Sequence, residues 1–118
     1  MKSKYDLEDR LVKFAGDMII FTNTIKNDYA GTHLKNQLIR SSTSPCLNYG
    51  EAQAAESKKD FIHKSKISVK ELKETRAGLK ILRQINYGKE DIRKGLLNEC
   101  EELIAIFSTI IKNTKNNS

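Results

Sequence analysis

Apolar residues recur at three- and four-residue steps along nearly the whole of this 118-residue chain. That spacing places them on one face of an α-helix, whereas a half-buried strand would alternate at every second residue. One proline and six glycines leave few sites for the turns of a many-stranded β fold. The sequence therefore predicts an all-α fold, and its length fits a single domain over residues 1–118.

The first predicted helix begins around Asp6, with Glu8 and Asp9 in its opening turn, where negative charge interacts favourably with the helix dipole. Residues 27–31, which include a glycine, are predicted to end it. Its predicted buried face consists of Leu7, Leu11, Phe14, Ala15, Met18, Thr22 and Ile25.

The second helix is predicted to start near Thr32 and to be kinked or broken near Pro45. An interior proline removes a backbone donor and clashes with the preceding turn. Ser44 followed by Pro45 resembles an N-cap and a first-turn proline, which would restart a helix that runs to about Glu56.

The third helix is predicted to run from Ser57, which with Asp60 three residues later resembles a capping box, to about Asn86. Its apolar and small residues follow a heptad-like spacing, and the small ones allow a neighbouring helix to approach closely. We call this set the seam; it consists of Phe61, Ser65, Ser68, Leu72, Thr75, Leu79 and Leu82.

The fourth helix is predicted from about Glu90 to Lys112, followed by a polar tail over 113–118 that we expect to fray. Four amphipathic helices joined by short links predict an antiparallel up-down-up-down four-helix bundle. The apolar stripe of the fourth helix consists of Ile92, Leu96, Cys100, Leu103, Phe107 and Ile110.

Further apolar residues lie beside these stripes. Part of them can widen the core, whereas the remainder would be exposed and would favour self-association. On the third helix they are Ile67, Ile81 and Ile85 on one flank and Ile62 and Val69 on the other, and the fourth helix adds Leu97, Ile104 and Ile111.

Positive charge is concentrated on the third helix. Residues 58–83 carry nine basic and three acidic side chains, an excess equal to the formal net charge of the whole chain, +6. Exposed lysines in a row attract nucleic-acid phosphates through counterion release, without reading bases. The alternative is a solvated face that keeps the protein soluble. We call the row the lysine stripe; it consists of Lys59, His63, Lys66, Lys70, Lys73 and Lys80.

Metal and catalytic motifs are absent from the sequence. Neither His33 nor His63 has a glutamate three residues before it, and Asp60 before His63 is the nearest approach to the Glu-x-x-His step of dimetal bundles. Ser-His-Asp and Cys-His arrangements and a glycine-rich phosphate loop are also missing. We therefore expect a protein that is not an enzyme and holds no metal or cofactor.

The two cysteines, Cys46 and Cys100, form neither a CxxC pair nor a disulfide framework, as is typical of reduced thiols in the cytoplasm. The longest apolar run, 103–107, is five residues, too short to span a membrane. We expect a cytoplasmic protein with no membrane partner.

Polar residues on the second and third helices are expected to fix the alignment of these helices through charge-assisted hydrogen bonds. Arg40 and Glu51 are expected to meet glutamates of the third helix or Arg76. The expected set is Gln37, Arg40, Asn48, Glu51, Glu71 and Glu74.

Several of these residues belong to short segments that follow one another in a fixed order: QLIRSSTS at 37–44, NYGEA at 48–52, DFIHK at 60–64 and KELKET at 70–75. The ordered set resembles the bacterial four-helix-bundle proteins encoded by intervening sequences within 23S ribosomal RNA genes. The resemblance implies an antiparallel bundle that assembles into a homopentamer with a basic surface. One departure is Gly78, where a bulky aromatic residue is expected, and a glycine weakens a helix locally.

A protein related to this family is the accessory variability determinant of diversity-generating retroelements. Its relation to the family implies RNA and a reverse transcriptase as partners. Two functions therefore remain open. The first is a pentameric bundle whose lysine stripe contacts RNA or DNA backbone without sequence preference. The alternative is an interaction scaffold that binds another protein, with the lysines serving solubility.

Overall fold

The computed structural model of this protein describes residues 6–117, which form four α-helices. No residue in that range lies in a strand, and none of its helices is long and apolar enough to cross a membrane. The all-α prediction and the number of helices are confirmed. The helices are α1 (Leu7–Thr22), α2 (Tyr29–Gln53), α3 (Lys58–Ile85) and α4 (Glu90–Asn116).

The helices pack as an antiparallel bundle. Both α1 and α3 lie against α2 and α4, so that α1 and α3 face each other across the diagonal. Glu51 near the end of α2 pairs with Lys64 near the start of α3 at 2.6 Å. The ring of Phe21 at the end of α1 lies beside Gly88 at the start of α4. Neighbouring helices therefore run in opposite directions.

The turn between α1 and α2 begins earlier than the sequence predicts. α1 ends at Thr22, and Asp28 is the N-cap of α2, where its Oδ1 accepts a hydrogen bond from the Gly31 backbone N–H at 2.7 Å. A Cβ at Gly31 would lie 1.8 Å from the carbonyl oxygen of Lys26. Gly31 therefore permits the close approach of the first turn of α2 to this loop rather than ending α1.

α2 runs without interruption through Pro45, so the predicted break and the restart at Ser44 are wrong. Pro45 is buried, and its carbonyl oxygen accepts a hydrogen bond from Ser68 Oγ of α3 at 3.1 Å. The hydroxyl of Thr43 donates to the carbonyl of Ile39 at 2.8 Å in the turn before the proline. Packing on α3 outweighs the local cost of the proline, which is about 3 kcal/mol. A kink at Pro45 stays a prediction.

The seam of α3 is confirmed, because its members are fully buried apart from Phe61, which is partly exposed. Ser57 caps the helix, and its Oγ accepts a hydrogen bond from the Asp60 backbone N–H at 3.0 Å. Across the seam, Thr75 Oγ1 donates to Ser41 Oγ of α2 at 2.8 Å. The small polar residues of the seam thus join α2 to α3 by hydrogen bonds as well as by packing.

Gly78 makes room for a side chain of α2. A Cβ at this position would lie 2.8 Å from Cδ2 of Leu38, which is itself buried. The glycine that departs from the family pattern therefore accommodates Leu38, and the local loss of helix propensity is compensated by closer packing of α2 on α3.

α4 continues to Asn116, past the end predicted near Lys112. Thr114 Oγ1 donates to the carbonyl of Ile110 at 2.7 Å, and Lys58 Nζ of α3 donates to the carbonyl of Asn117. Most of the predicted tail is therefore helical and held by α3. Ser118 lies outside the described residues.

Of the further apolar residues that lie beside the stripes, some are buried in the core and others are exposed, as the sequence allows. Ile104 is buried and widens the core, whereas Ile81 and Ile85 of α3 are 49% and 41% exposed. Ile92, assigned to the buried stripe of α4, is 36% exposed. The remaining flank residues are partly exposed: Ile62, Ile67, Val69, Leu97 and Ile111.

Two seam serines provide a matched test of this packing. Within residues 6–117, Ser65 Oγ is the buried side-chain polar atom that lacks a hydrogen-bond partner, whereas Ser68 Oγ donates to Pro45. We expect Ser65→Ala to raise the free energy of unfolding by about 0.5–1 kcal/mol, since alanine favours the helix and no hydrogen bond is lost. We expect Ser68→Ala to lower it by about 1 kcal/mol. Urea denaturation measures both, and effects of the same sign would contradict the assignment.

Candidate functional site

The lysine stripe lies on the outer face of α3. All six of its residues are exposed, and the buried seam occupies the opposite side of the same helix. Lys59, Lys66, Lys73 and Lys80 are seven residues apart, which is about 10 Å along the helix axis. The stripe therefore forms a row of positive charge about 32 Å long that shifts around the helix by about 20° per heptad.

The stripe lysines differ from the other basic residues of α3 in their pairing. Lys64 pairs with Glu51 of α2 at 2.6 Å, and Arg76 pairs with Glu101 of α4 at 2.8 Å, because both point toward neighbouring helices. In the part of the chain that the structure describes, none of the five stripe lysines forms an ion pair. Their charge is therefore available to an external anion.

The end of α4 adds positive charge to the stripe. The side chain of Lys115 lies against that of Lys66, and this neighbouring ammonium holds the pKa of Lys115 below its usual value. A lowered lysine pKa at an exposed position indicates a positive local potential. A bound phosphate between the two ammonium groups would relieve the repulsion.

The polar residues expected to align α2 and α3 do not form a single network. Arg40 Nη1 donates to Glu71 Oε1 at 2.8 Å, and Arg40 Nη2 donates to Glu74, so this part joins the two helices as expected. Glu51 instead accepts a hydrogen bond from Lys64.

The two amides in the expected set do not join α2 to α3. Asn48 Nδ2 donates within α2, to the carbonyl and the hydroxyl oxygens of Ser44 at 3.0 and 2.9 Å. Gln37 is exposed. Neither amide belongs to a shared site, so the polar residues of this region act as separate local contacts.

The thiols are poorly placed for chemistry. Cys100 is buried, its Sγ lies 3.2 Å from the Leu72 carbonyl oxygen, and burial raises the pKa of the thiol to about 12. Burial also raises the pKa of Cys46. A thiol with a raised pKa forms little thiolate at neutral pH and is a weak nucleophile. Among residues 6–117, no three His, Cys, Asp or Glu side chains gather where they could hold a metal ion.

The sequence did not predict two features of the structure. Arg93 is buried, and its Nη1 donates to the carbonyls of Tyr87 and Gly88 at 2.8 and 3.2 Å, which holds the loop between α3 and α4. The second is a groove of about 700 Å³ between α1 and α4. The exposed Ile20 in the groove wall lies off the predicted stripe of α1 and is the one sequence signal for it.

The fold and the lysine stripe define a small all-helical bundle protein with one strongly cationic helix face. This chain belongs to the 23S rRNA-intervening sequence protein family, whose model matches residues 4–109. The resemblance drawn from the ordered motifs is thereby confirmed.

A solved structure supports the same assignment. It is a protein of unknown function of the S23 ribosomal protein family from Bacteroides thetaiotaomicron, 29% identical in sequence. The match covers 90% of this chain and 98% of that chain with a TM-score of 0.83. No curated protein is similar enough in sequence to give a match.

Proposed function

We propose that this protein is a non-enzymatic cytoplasmic bundle that binds RNA through the lysine stripe of α3, without sequence preference. The observation that carries the proposal is the row of five exposed lysines that have no ion-pair partner within residues 6–117. An unpaired row of this kind costs free energy through mutual repulsion, and a polyanion removes that cost.

The geometry of the row favours a nucleic-acid backbone over a compact anion. Lys70 and His63 lie between the heptad lysines, so that from Lys59 to Lys73 basic side chains follow one another every three or four residues, about 4.5–6 Å along the axis, and Lys80 follows after a further seven residues. A chain of phosphates presents charge at similarly short, regular intervals. A single small anion would engage only two or three of the six residues.

The side chains of the stripe favour contact with phosphates rather than with bases. The stripe consists of lysines and one histidine, and it includes none of the tyrosines or phenylalanines on which single-stranded bases stack. It also lacks the arginine and asparagine pairs that read base edges. Binding through this face is therefore expected to depend on salt and to depend little on sequence.

The proposal includes self-assembly into a homopentamer, which the family resemblance implies. Ile81 and Ile85 support it, because both are exposed on the flank of α3 that lies beside the lysine stripe. Burial of these side chains between copies would remove apolar surface from water. Five copies would bring five stripes onto one particle. A reverse transcriptase as a further partner rests on the resemblance alone.

The RNA proposal predicts a steep salt dependence. If five lysines contact phosphates, the logarithm of the association constant for single-stranded RNA should fall with log salt at a slope of about −3.5. The double variant Lys66→Gln/Lys73→Gln should flatten the slope by about 1.4 and weaken binding alike for unrelated sequences. Fluorescence anisotropy across salt concentrations measures both quantities.

The matched control changes two lysines away from the stripe. Lys13→Gln/Lys26→Gln removes the same charge from α1 and the loop that follows it, so its slope should stay within error of the wild type. Equal losses in the two double variants would show that net charge, and not the stripe, drives binding. No RNA affinity at low salt would contradict the proposal.

The second candidate is an interaction scaffold that binds another protein. Exposed apolar side chains favour it, since Val12, Ile19 and Leu47 lie on the surface away from the stripe. This function predicts no RNA binding even at low salt, so the same titration separates the two candidates.

Assembly is tested by light scattering. A pentamer of the 13.4 kDa chain has a mass of about 67 kDa. We expect Ile81→Glu/Ile85→Glu to reduce that mass, because charged side chains would be buried between copies. Leu47→Glu alters an exposed apolar residue on α2 and should leave the mass unchanged. A wild-type mass of one chain would contradict the pentamer.

A further inference from the structure

The groove of about 700 Å³ between α1 and α4 takes no part in the proposed RNA contact. Its floor consists of core side chains, Phe14, Phe21 and Leu96. Its walls include Ile20 and Ile92, which are 65% and 36% exposed. A partner that covered these two side chains would remove their apolar surface from water.

The groove has the shape of a site for one helix. The lining runs from Arg10 to Phe21 on α1 and from Asp91 to Glu102 on α4, about 17 Å or three helical turns. Gly95 leaves the middle of the groove open, since an added Cβ there would meet no atom within 4 Å. A third helix laid between two antiparallel helices can insert its apolar side chains into such a depression.

The rim of the groove is acidic although the chain as a whole carries a net charge of +6. Four carboxylates outnumber two cations among the lining residues, and both cations are already paired with carboxylates of the groove. The carboxylates are Asp17, Asp91, Glu99 and Glu102, and the cations are Arg10 and Lys13. Charge complementarity therefore favours a basic partner over an acidic one.

We propose that the α1–α4 groove binds a basic amphipathic helix of another protein, with an apolar stripe at i, i+3 or i+4 and i+7 and with Lys or Arg on both sides. Its apolar side chains would cover Ile20 and Ile92 and fill the space above Gly95. Its cations would lie against Asp91 and against Glu102, which pairs with Arg10 at 3.0 Å but remains 67% exposed at the rim.

The choice of another protein over a second copy rests on the proposed function in one respect. The basic apolar face that this chain itself offers is the outer side of α3, where Ile81 and Ile85 lie beside the lysine stripe. Docking that face into the acidic groove would place the stripe lysines themselves against the rim carboxylates, and so would cover the groups that the proposed RNA contact needs. None of the residues that line the groove belongs to α3, so a separate helix in the groove leaves the stripe free.

The test uses two fluorescent synthetic helical peptides of three to four turns, each held in the helix by a side-chain lactam because short peptides are marginal helices in water. One carries lysines beside a leucine stripe, and the other carries glutamates in the same positions. The full-length protein is expected to bind the lysine peptide at least tenfold more tightly than the glutamate peptide. Equal affinities, or no binding of either peptide, would overturn the proposal.

Two variants locate the binding. Gly95→Leu should fill the groove and weaken binding of the lysine peptide at least tenfold, and it should fold normally because the position is helical and open. Ile19→Lys changes an exposed residue of α1 that does not line the groove, so binding should be unchanged. Full binding by Gly95→Leu, or an equal loss in both variants, would refute the assignment.

The same variants separate this proposal from its alternatives. Dissociation of a wild-type assembly by Gly95→Leu in light scattering would make a second copy the occupant and would overturn the proposal. RNA affinity of Gly95→Leu should equal that of the wild type. A wild-type protein that binds the lysine peptide but does not bind RNA would overturn the proposed function and would still support the groove site.

Discussion

The packing of α2 against α3 is the contact on which the rest of the structure depends. Small seam residues allow the two helices to approach, Gly78 receives Leu38, and Thr75 donates a hydrogen bond to Ser41 across the contact. This packing keeps α2 helical through Pro45, because the buried proline carbonyl accepts a hydrogen bond from α3. It also fixes the rotation of α3 about its own axis, so that the lysine stripe points to solvent while Lys64 and Arg76 turn toward the neighbouring helices.

Periodicity alone was enough to predict the four helices, the seam of α3 and the outward direction of the lysine stripe, because a helix fixes the angle between residues at each sequence spacing. It was not enough for features that depend on a second helix. The break predicted at Pro45 was wrong because tertiary packing outweighed a local preference. Arg93 was missed because its partners are carbonyls of the loop before α4. Ile92 has the spacing of the α4 stripe, but its exposure depends on how closely α1 packs against α4, which the spacing does not determine.

The two candidate sites lie on different sides of one small bundle and differ in charge and chemistry. α3 presents unpaired lysines that favour a polyanion. The groove between α1 and α4 presents apolar walls under an acidic rim. The groove is lined by α1 and α4, whereas the stripe lies on α3, so the two surfaces do not share a residue. If both proposals hold, one protomer would contact a nucleic acid and a helix of a protein at the same time. A 23S rRNA-intervening sequence protein with this arrangement would work as an adaptor, in which rigid packing holds both surfaces at fixed positions.

If the exposed row of lysines on α3 contacts RNA, bound RNA should shield the amines of that row from modification. Amine acetylation followed by mass spectrometry, with and without RNA, reports the accessibility of each lysine directly. RNA is expected to protect Lys59, Lys66, Lys73 and Lys80, whereas Lys13 and Lys26 should react as they do in the free protein. Equal protection of both groups, or no protection of the stripe at an RNA concentration that saturates binding, would contradict it.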